Sequence, residues 1–295
     1  MIGKKKGFFT IFVHVVMVAM VIICLYPFAL MIMSSVTSEA SIIRFGYNLF
    51  PHEFGFEAYD YLLKRPMLII RSYGITLFTT AVGTTAGLFM SIFLAYGLSL
   101  RDIPGRSFLA FLVFFTMLFN GGLVPTYIMW SQWFHIKNTL WALIVPKLLL
   151  NAFQVIVMRS YFQSNIPEEI KESARIDGAS EVRILFQIVL PVSTPIIATV
   201  GLMIALGYWN DWMNGLYYVT ESTLFSIQQL LNRILADAQY LSQNTDAVEV
   251  STSTNIPTNS LKMALATIGA LPLMFLLPFF QKYYVKGMTI GAVKG

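Results

Sequence analysis

The sequence has 295 residues, of which 56% are hydrophobic and only 12% charged, with a formal net charge of +5. An ordinary soluble domain carries roughly 25% charged residues, so the bilayer must be the solvent for much of this chain. Its basic residues flank apolar runs and form no patch or stripe, which excludes a nucleic-acid reading, and neither an internal disulfide (Cys24 is the only cysteine) nor a cluster with metal-ligand spacing is available.

A membrane span takes about 20 apolar residues. Six such runs follow in chain order: Phe8 to Met33, Tyr73 to Leu98, Ser107 to Trp130, Leu140 to Phe162, Val192 to Tyr218 and Leu261 to Phe280. The first follows Lys4, Lys5 and Lys6, as a signal peptide would. It exceeds the roughly 7–15 residues of a signal h-region and has no clean cleavage site after it, so it reads as a permanent helix.

Six spans put both termini on one side. The segments on that side hold Lys4, Lys5, Lys6, Arg101, Arg106, Arg159, Lys171, Arg175, Arg183, Lys282, Lys286 and Lys294. The opposite segments hold only Arg44, Lys64, Arg65, Arg71, Lys137, Arg233 and Lys262. The excess predicts a multi-pass protein of the cell (plasma or inner) membrane with both termini cytoplasmic. The segments are then 1–34 with the first span, an outer loop 35–71, a five-helix core 72–280 and a tail 281–295. Gly83 and Gly87 form a GxxxG pair, either a close helix contact or ordinary packing.

Between the fourth and fifth runs lies the loop 165–191. Pro167 suits a first helical position, with Glu168 and Glu169 in the positive first turn. Ile170 and Ala174 share a face, and Gly178 is placed to stop the helix in a left-handed conformation. Ser180 suits the cap of a second helix, in which Val182, Leu185, Phe186 and Val189 recur with helical spacing. Such a loop offers one face to the membrane domain and one to a cytoplasmic partner; an amphipathic pair lying on lipid is the alternative.

The stretch Glu172-Ser-Ala-Arg-Ile-Asp-Gly-Ala179, followed by Ile188-Val-Leu-Pro191, resembles the EAA loop of ABC importer permeases, with serine in place of its first alanine. The Asp-Gly-Ala and Leu-Pro elements resemble the carbohydrate-uptake, maltose-importer-like branch, and the tail from Lys282 to Gly295 agrees. The segments Phe119 to Tyr127 and Tyr208 to Gly215 look most like its complex oligosaccharide and polysaccharide, alginate-importer-like members. The resemblance implies an all-α integral membrane protein with six transmembrane helices, the type I importer permease fold and a cytoplasmic EAA coupling helix. It implies a transport subunit rather than an enzyme, paired with a second permease as a heterodimer. An ATPase dimer that holds ATP and Mg²⁺ and an extracytoplasmic sugar-binding protein complete the assembly, and this chain needs no cofactor. By the same similarity Glu172, Ala174, Asp177 and Gly178 are the ATPase-coupling residues. The absence of a G-x-x-x-x-G-K-[ST] loop agrees with a separate ATPase.

A sugar pathway calls for aromatic faces and amides at membrane depth. Trp209, Asn210, Trp212 and Asn214, with Asp211 among them, supply these in the fifth run. Asn120, Tyr127, Asn151 and Gln154 add polar groups in or near the third and fourth. The aromatic cluster has a second reading as an interfacial belt. Lys147 lies within the fourth run, where it meets an anionic sugar or pairs with a partner's carboxylate. In the outer loop 219–260, Leu224, Ile227, Leu230, Leu231, Ile234 and Leu235 predict an amphipathic helix, and a polar stretch, Ser242 to Asn259, follows. By position it resembles a loop that meets the binding protein; a solvated linker is the other reading. An ion-coupled secondary transporter would need acidic residues at mid-membrane, where only Asp211 is available, and a membrane enzyme would need a clustered catalytic set that is not visible.

Overall fold

The computed structural model describes residues 5–64, 66–146, 149–243 and 257–292. Lys147 and residues 244–256 of the polar stretch therefore lie outside the described residues. In chain order the helices are α1 (Lys5–Ser35), α2 (Glu39–Phe45), α3 (Glu57–Leu63), α4 (Pro66–Ser99), α5 (Arg106–Leu118) and α6 (Leu123–Ile128). Then come α7 (Trp141–Ile144), α8 (Ala152–Asn165), α9 (Glu168–Ile176), α10 (Glu181–Ile184) and α11 (Leu190–Val192). The last four are α12 (Thr194–Trp209), α13 (Met213–Tyr218), α14 (Ile227–Gln243) and α15 (Thr258–Ala292). Among the described residues the only strand-like feature is an isolated bridge between Thr37 and Phe54.

Among the described residues two stretches, Phe9–Ser35 and Pro66–Ser99, are single helices long and apolar enough to cross a membrane. The expected third and fifth spans are not straight rods. Arg106–Leu118 and Leu123–Trp133 meet at 113°, and Glu181–Val192 and Thr194–Trp209 at 86°. The expected fourth span divides into α7 and α8, and the fifth breaks again between Trp209 and Met213. Three of these four breaks carry an amide or carboxylate that satisfies freed backbone groups. Asn120 Oδ1 accepts from Gly122 N at 3.0 Å, Asn151 Oδ1 from Phe153 N at 3.0 Å, and Asp211 Oδ1 from Asn214 N at 3.2 Å. Irregular backbone at membrane depth persists only where such partners exist.

The chain divides into two compact units. The first is Met1–Pro66 with Leu231–Leu273. Here Ser38 caps α2, its hydroxyl accepting from Ser41 N, and Gly46 ends that helix at φ 75°. The Glu39 carboxylate then caps a different helix. It accepts from the backbone N–H groups of Asn259 (2.9 Å) and Ser260 (2.8 Å), and from the Asn259 amide and the Ser260 hydroxyl, both at 2.9 Å. Those N–H groups lie in the first turn of α15, whose preceding residue, Pro257, has no side-chain acceptor. A negative charge also suits the positive end of a helix dipole. Replacing Glu39 by alanine is expected to destabilise this corner by about 1–3 kcal/mol. The measurement is hydrogen exchange, which should accelerate at the Asn259 and Ser260 amides; unchanged protection would mean that another group caps α15.

The second unit is Met67–Leu230 with Met274–Gly295. Its core joins one face of α4 (Ile92, Ala95, Tyr96) to α8 (Val155, Met158, Phe162), the loop after it (Ile184, Leu185, Val189) and α12 (Val200, Ile204, Tyr208). Small residues on α4 permit the approach. A Cβ on Gly83 would stand on the Tyr208 ring, and one on Gly87 would meet the Leu149 carbonyl at 2.9 Å. The GxxxG pair is thus a close-contact surface in this chain. The expected amphipathic helix after the fifth run is α14, with Ile227, Leu230, Leu231 and Ala238 buried, but Leu224 falls outside it, in a separate turn, Ser222–Leu224. Its first N–H groups are held by side chains: Ile227 N donates to Thr76 Oγ1 at 2.8 Å and Gln229 N to Ser226 Oγ at 3.3 Å.

Candidate functional site

The loop 165–191 is built much as its residues require. α9 starts at Glu168, with Pro167 one position earlier than expected, as the cap residue. Two acidic residues occupy its first turn. The helix ends in a Schellman arrangement: Ala179 N donates to Ala174 O at 2.9 Å, Gly178 N donates to Arg175 O at 3.0 Å, and Gly178 has φ 81°. Ser180 then caps α10, its hydroxyl accepting from Arg183 N at 3.3 Å. A π-helical turn, Leu185–Val189, follows.

α9 has two chemically distinct faces. Glu172 and Asp177 are exposed, as is Gly178, and Ile176 is 86% exposed. Ala174 packs against the apolar core. Of the apolar residues expected to share one face of the second helix, Leu185 and Val189 are buried, whereas Val182 and Phe186 are exposed. Ile184 takes the vacant core place. Ile170, expected beside Ala174, is also exposed.

The inner face of α9 is polar in a way the spacing of apolar residues did not reveal. Lys171 is only 2% exposed, and its ammonium sits 2.6 Å from Glu168. A buried ammonium without such a partner would be strongly unfavourable. Arg175 bridges Glu168 (Nη1, 3.4 Å) and Glu181 (Nε, 2.7 Å). Tyr96 of α4 donates its O–H to the other oxygen of Glu181 at 2.6 Å. The Lys171 hydrogen bond holds the Glu168 carboxyl below the usual range; burial opposes this and Arg175 reinforces it. Because that pKa is lowered on folding, the pair contributes at neutral pH and is lost as the pH falls below the ordinary carboxylate range. The Glu168–Lys171 spacing of three was legible as a helix pair, but the Arg175–Glu181 contact crosses the Gly178 turn and needed the fold.

The second group of candidates surrounds the break after α12. Trp209 is 4% exposed and lies 6.4 Å, ring to ring, from Tyr73. Asn214 is buried, and its amide donates to the Pro146 carbonyl at 3.0 Å. Asn210 and Trp212 are exposed in this chain. Tyr127 stacks on Tyr218 at 5.7 Å with an interplanar angle of 12°. Asn120 and Asn151 are exposed at the starts of their helices. The break therefore presents an amide and an indole side by side, while Trp209 and Asn214 anchor the backbone beneath them.

Residues 83–290 match the model of a family described as "binding-protein-dependent transport system inner membrane component". The chain is 36% identical over 291 residues to the polygalacturonan/rhamnogalacturonan transport system permease protein YtcP of Bacillus subtilis strain 168, covering 99% of this chain and 100% of that one. It is 37% identical over 273 residues to protein LplC of the same strain, covering 92% and 90% respectively. Among solved structures it is similar to a bacterial ABC transporter involved in the import of the acidic polysaccharide alginate, with a TM-score of 0.78, 26% identity, and 96% of this chain and 99% of that chain covered.

Proposed function

Since this chain belongs to the family of inner membrane components of binding-protein-dependent transport systems, as a permease subunit of an ABC importer for oligosaccharides or polysaccharides, we propose that it forms one half of a translocation pathway whose motor and solute receptor are separate chains. The other half is a second permease, in a heterodimer. A cytoplasmic ATPase dimer holds ATP and Mg²⁺, in keeping with the absence of a phosphate loop here. An extracytoplasmic binding protein delivers the sugar. Both termini face the cytoplasm, which the distribution of basic residues supports.

The outer face of α9 carries this reading. Glu172, Ile176 and Asp177 stand clear of the chain's own packing on a helix that a left-handed glycine terminates. An isoleucine 86% exposed on a cytoplasmic loop is suited to a complementary apolar cleft, and a carboxylate beside it gains most from a fixed guanidinium. Ala174 allows α9 to lie close to the core behind it. On the pathway side, the exposed Asn210 and Trp212 face the sugar, while Trp209 and Asn214 fix the broken helix that presents them, and Asn120, Tyr127 and Asn151 line its approach. The substrates named for the relatives suggest an acidic oligosaccharide.

Two measurements test this. Purification of the tagged chain should bring down a second permease and an ATPase dimer. In the reconstituted complex with its binding protein, acidic oligosaccharides should stimulate ATP hydrolysis and neutral ones should not. A purified chain that moves solute unaided would overturn the reading.

A further inference from the structure

Glu172, Ala174, Asp177 and Gly178 explain how α9 could meet a motor. They leave open how α9 grips the membrane helices. Along the backbone it is joined to α8 by Ile166 and Pro167 and to α12 only through the bent segment that ends at Ser193. The side chains provide a third connection. Lys171, Glu168, Arg175, Glu181 and Tyr96 form one continuous chain of contacts at 2.6, 3.4, 2.7 and 2.6 Å, running from α9 through α10 to α4.

Apolar packing of Ile184, Leu185 and Val189 also joins the loop to α4, but it is non-directional, whereas the polar chain fixes an orientation. A cavity of about 370 Å³ lies where α4 faces the loop, and its walls include Phe93, Tyr96, Gly97, Arg175, Glu181 and Leu185. The polar chain crosses from the loop to α4 beside this pocket. Rigid-body motion of a helix bundle needs a stiff connector, and a planar guanidinium that reaches two carboxylates through two different nitrogens is stiffer than a flexible ammonium.

We propose that Arg175 and Glu181 are positioning residues for transport: they bind α9 and α10 into one body and, through Tyr96, fasten that body to α4. A displacement of α9 then reaches α4 sideways, as well as α8 and α12 along the chain. The proposal rests on the docking role of α9 given above. Glu181 is 44% exposed, so solvent screens part of its interaction; the link sets geometry and does not hold the fold together.

The test is a double-mutant cycle in the reconstituted complex of both permeases, ATPase and binding protein. Tyr96→Phe and Glu181→Gln each remove the link with little change of shape. Each variant should assemble with its ATPase, yet move about threefold to tenfold less sugar per ATP hydrolysed, and the double variant should fall no further than the worse single one. Wild-type sugar per ATP in both single variants, or a double loss equal to the product of the single losses, would overturn the proposal. Failure of the docking role would look different: the unaltered chain would purify without an ATPase.

Discussion

Replacing Gly83 by valine is expected to leave too little folded chain to assay. Its place on α4 is buried, and a Cβ there would stand on the Tyr208 ring. That ring cannot simply turn aside. Tyr208 is 2% exposed, and its hydroxyl donates to the Ile144 carbonyl at 2.8 Å. Overpacking the contact costs about 1–3 kcal/mol, and stranding the hydroxyl and carbonyl without water adds roughly 1–3 kcal/mol. Against a total stability of about 5–15 kcal/mol, the sum is severe. Gly83→Ala should be intermediate, and Tyr208→Phe, which loses only the hydrogen bond, milder still. Gly74 lies on the same helix with nothing within 4 Å of an added Cβ. Gly74→Ala should therefore raise stability by up to about 1 kcal/mol, since alanine is the better helix former. Thermal unfolding in detergent ranks the four variants. Equal stability of Gly83→Ala and Gly74→Ala would show that the Tyr208 contact is not limiting.

The second large effect concerns function rather than folding. Gly178→Val should insert and assemble but lose about tenfold or more in sugar moved per ATP. A Cβ at Gly178 meets nothing within 4 Å, so the penalty is confined to the backbone. At φ 81° a non-glycine residue costs roughly 1–2 kcal/mol, and a β-branched one more. Relief comes from opening the Schellman turn, which re-aims α9 relative to α10 and parts Arg175 from Glu181. Asparagine tolerates the left-handed region, so Gly178→Asn should retain most coupling. Transport and hydrolysis measured together decide the matter, and full coupling in the valine variant would remove the turn from the mechanism.

Much of this was legible in the residues. Gly178 and Ser180 behave as their chemistry demands, and α1 and α4 follow directly from apolar length. Prolines within the runs, Pro125 and Pro146 among them, pointed to kinks, but the places of the full breaks were not foreseen. Hydropathy averaged over a span is blind to them, because Asn120, Asn151 and Asp211 can satisfy interrupted backbone without lowering the apolar content much. Those amides drew attention as sugar ligands, and the structure gives several of them a structural bond as well. Asn214 is the plainest case, its amide held by a carbonyl 68 residues away. Contacts of that range, like Tyr96 with Glu181 at a separation of 85, depend on topology and leave no local pattern.

The carboxylate of Glu39 is 220 residues ahead of the amides it holds. At a ribosomal pace of about 5–20 residues per second, that gap is roughly ten to forty seconds of waiting. During this interval water holds the carboxylate, and only the arrival of the last helix replaces that water with four donors of the chain itself. A product that stalls before residue 259 can never close this clasp. The pairing therefore makes completion of synthesis a condition for sealing that corner.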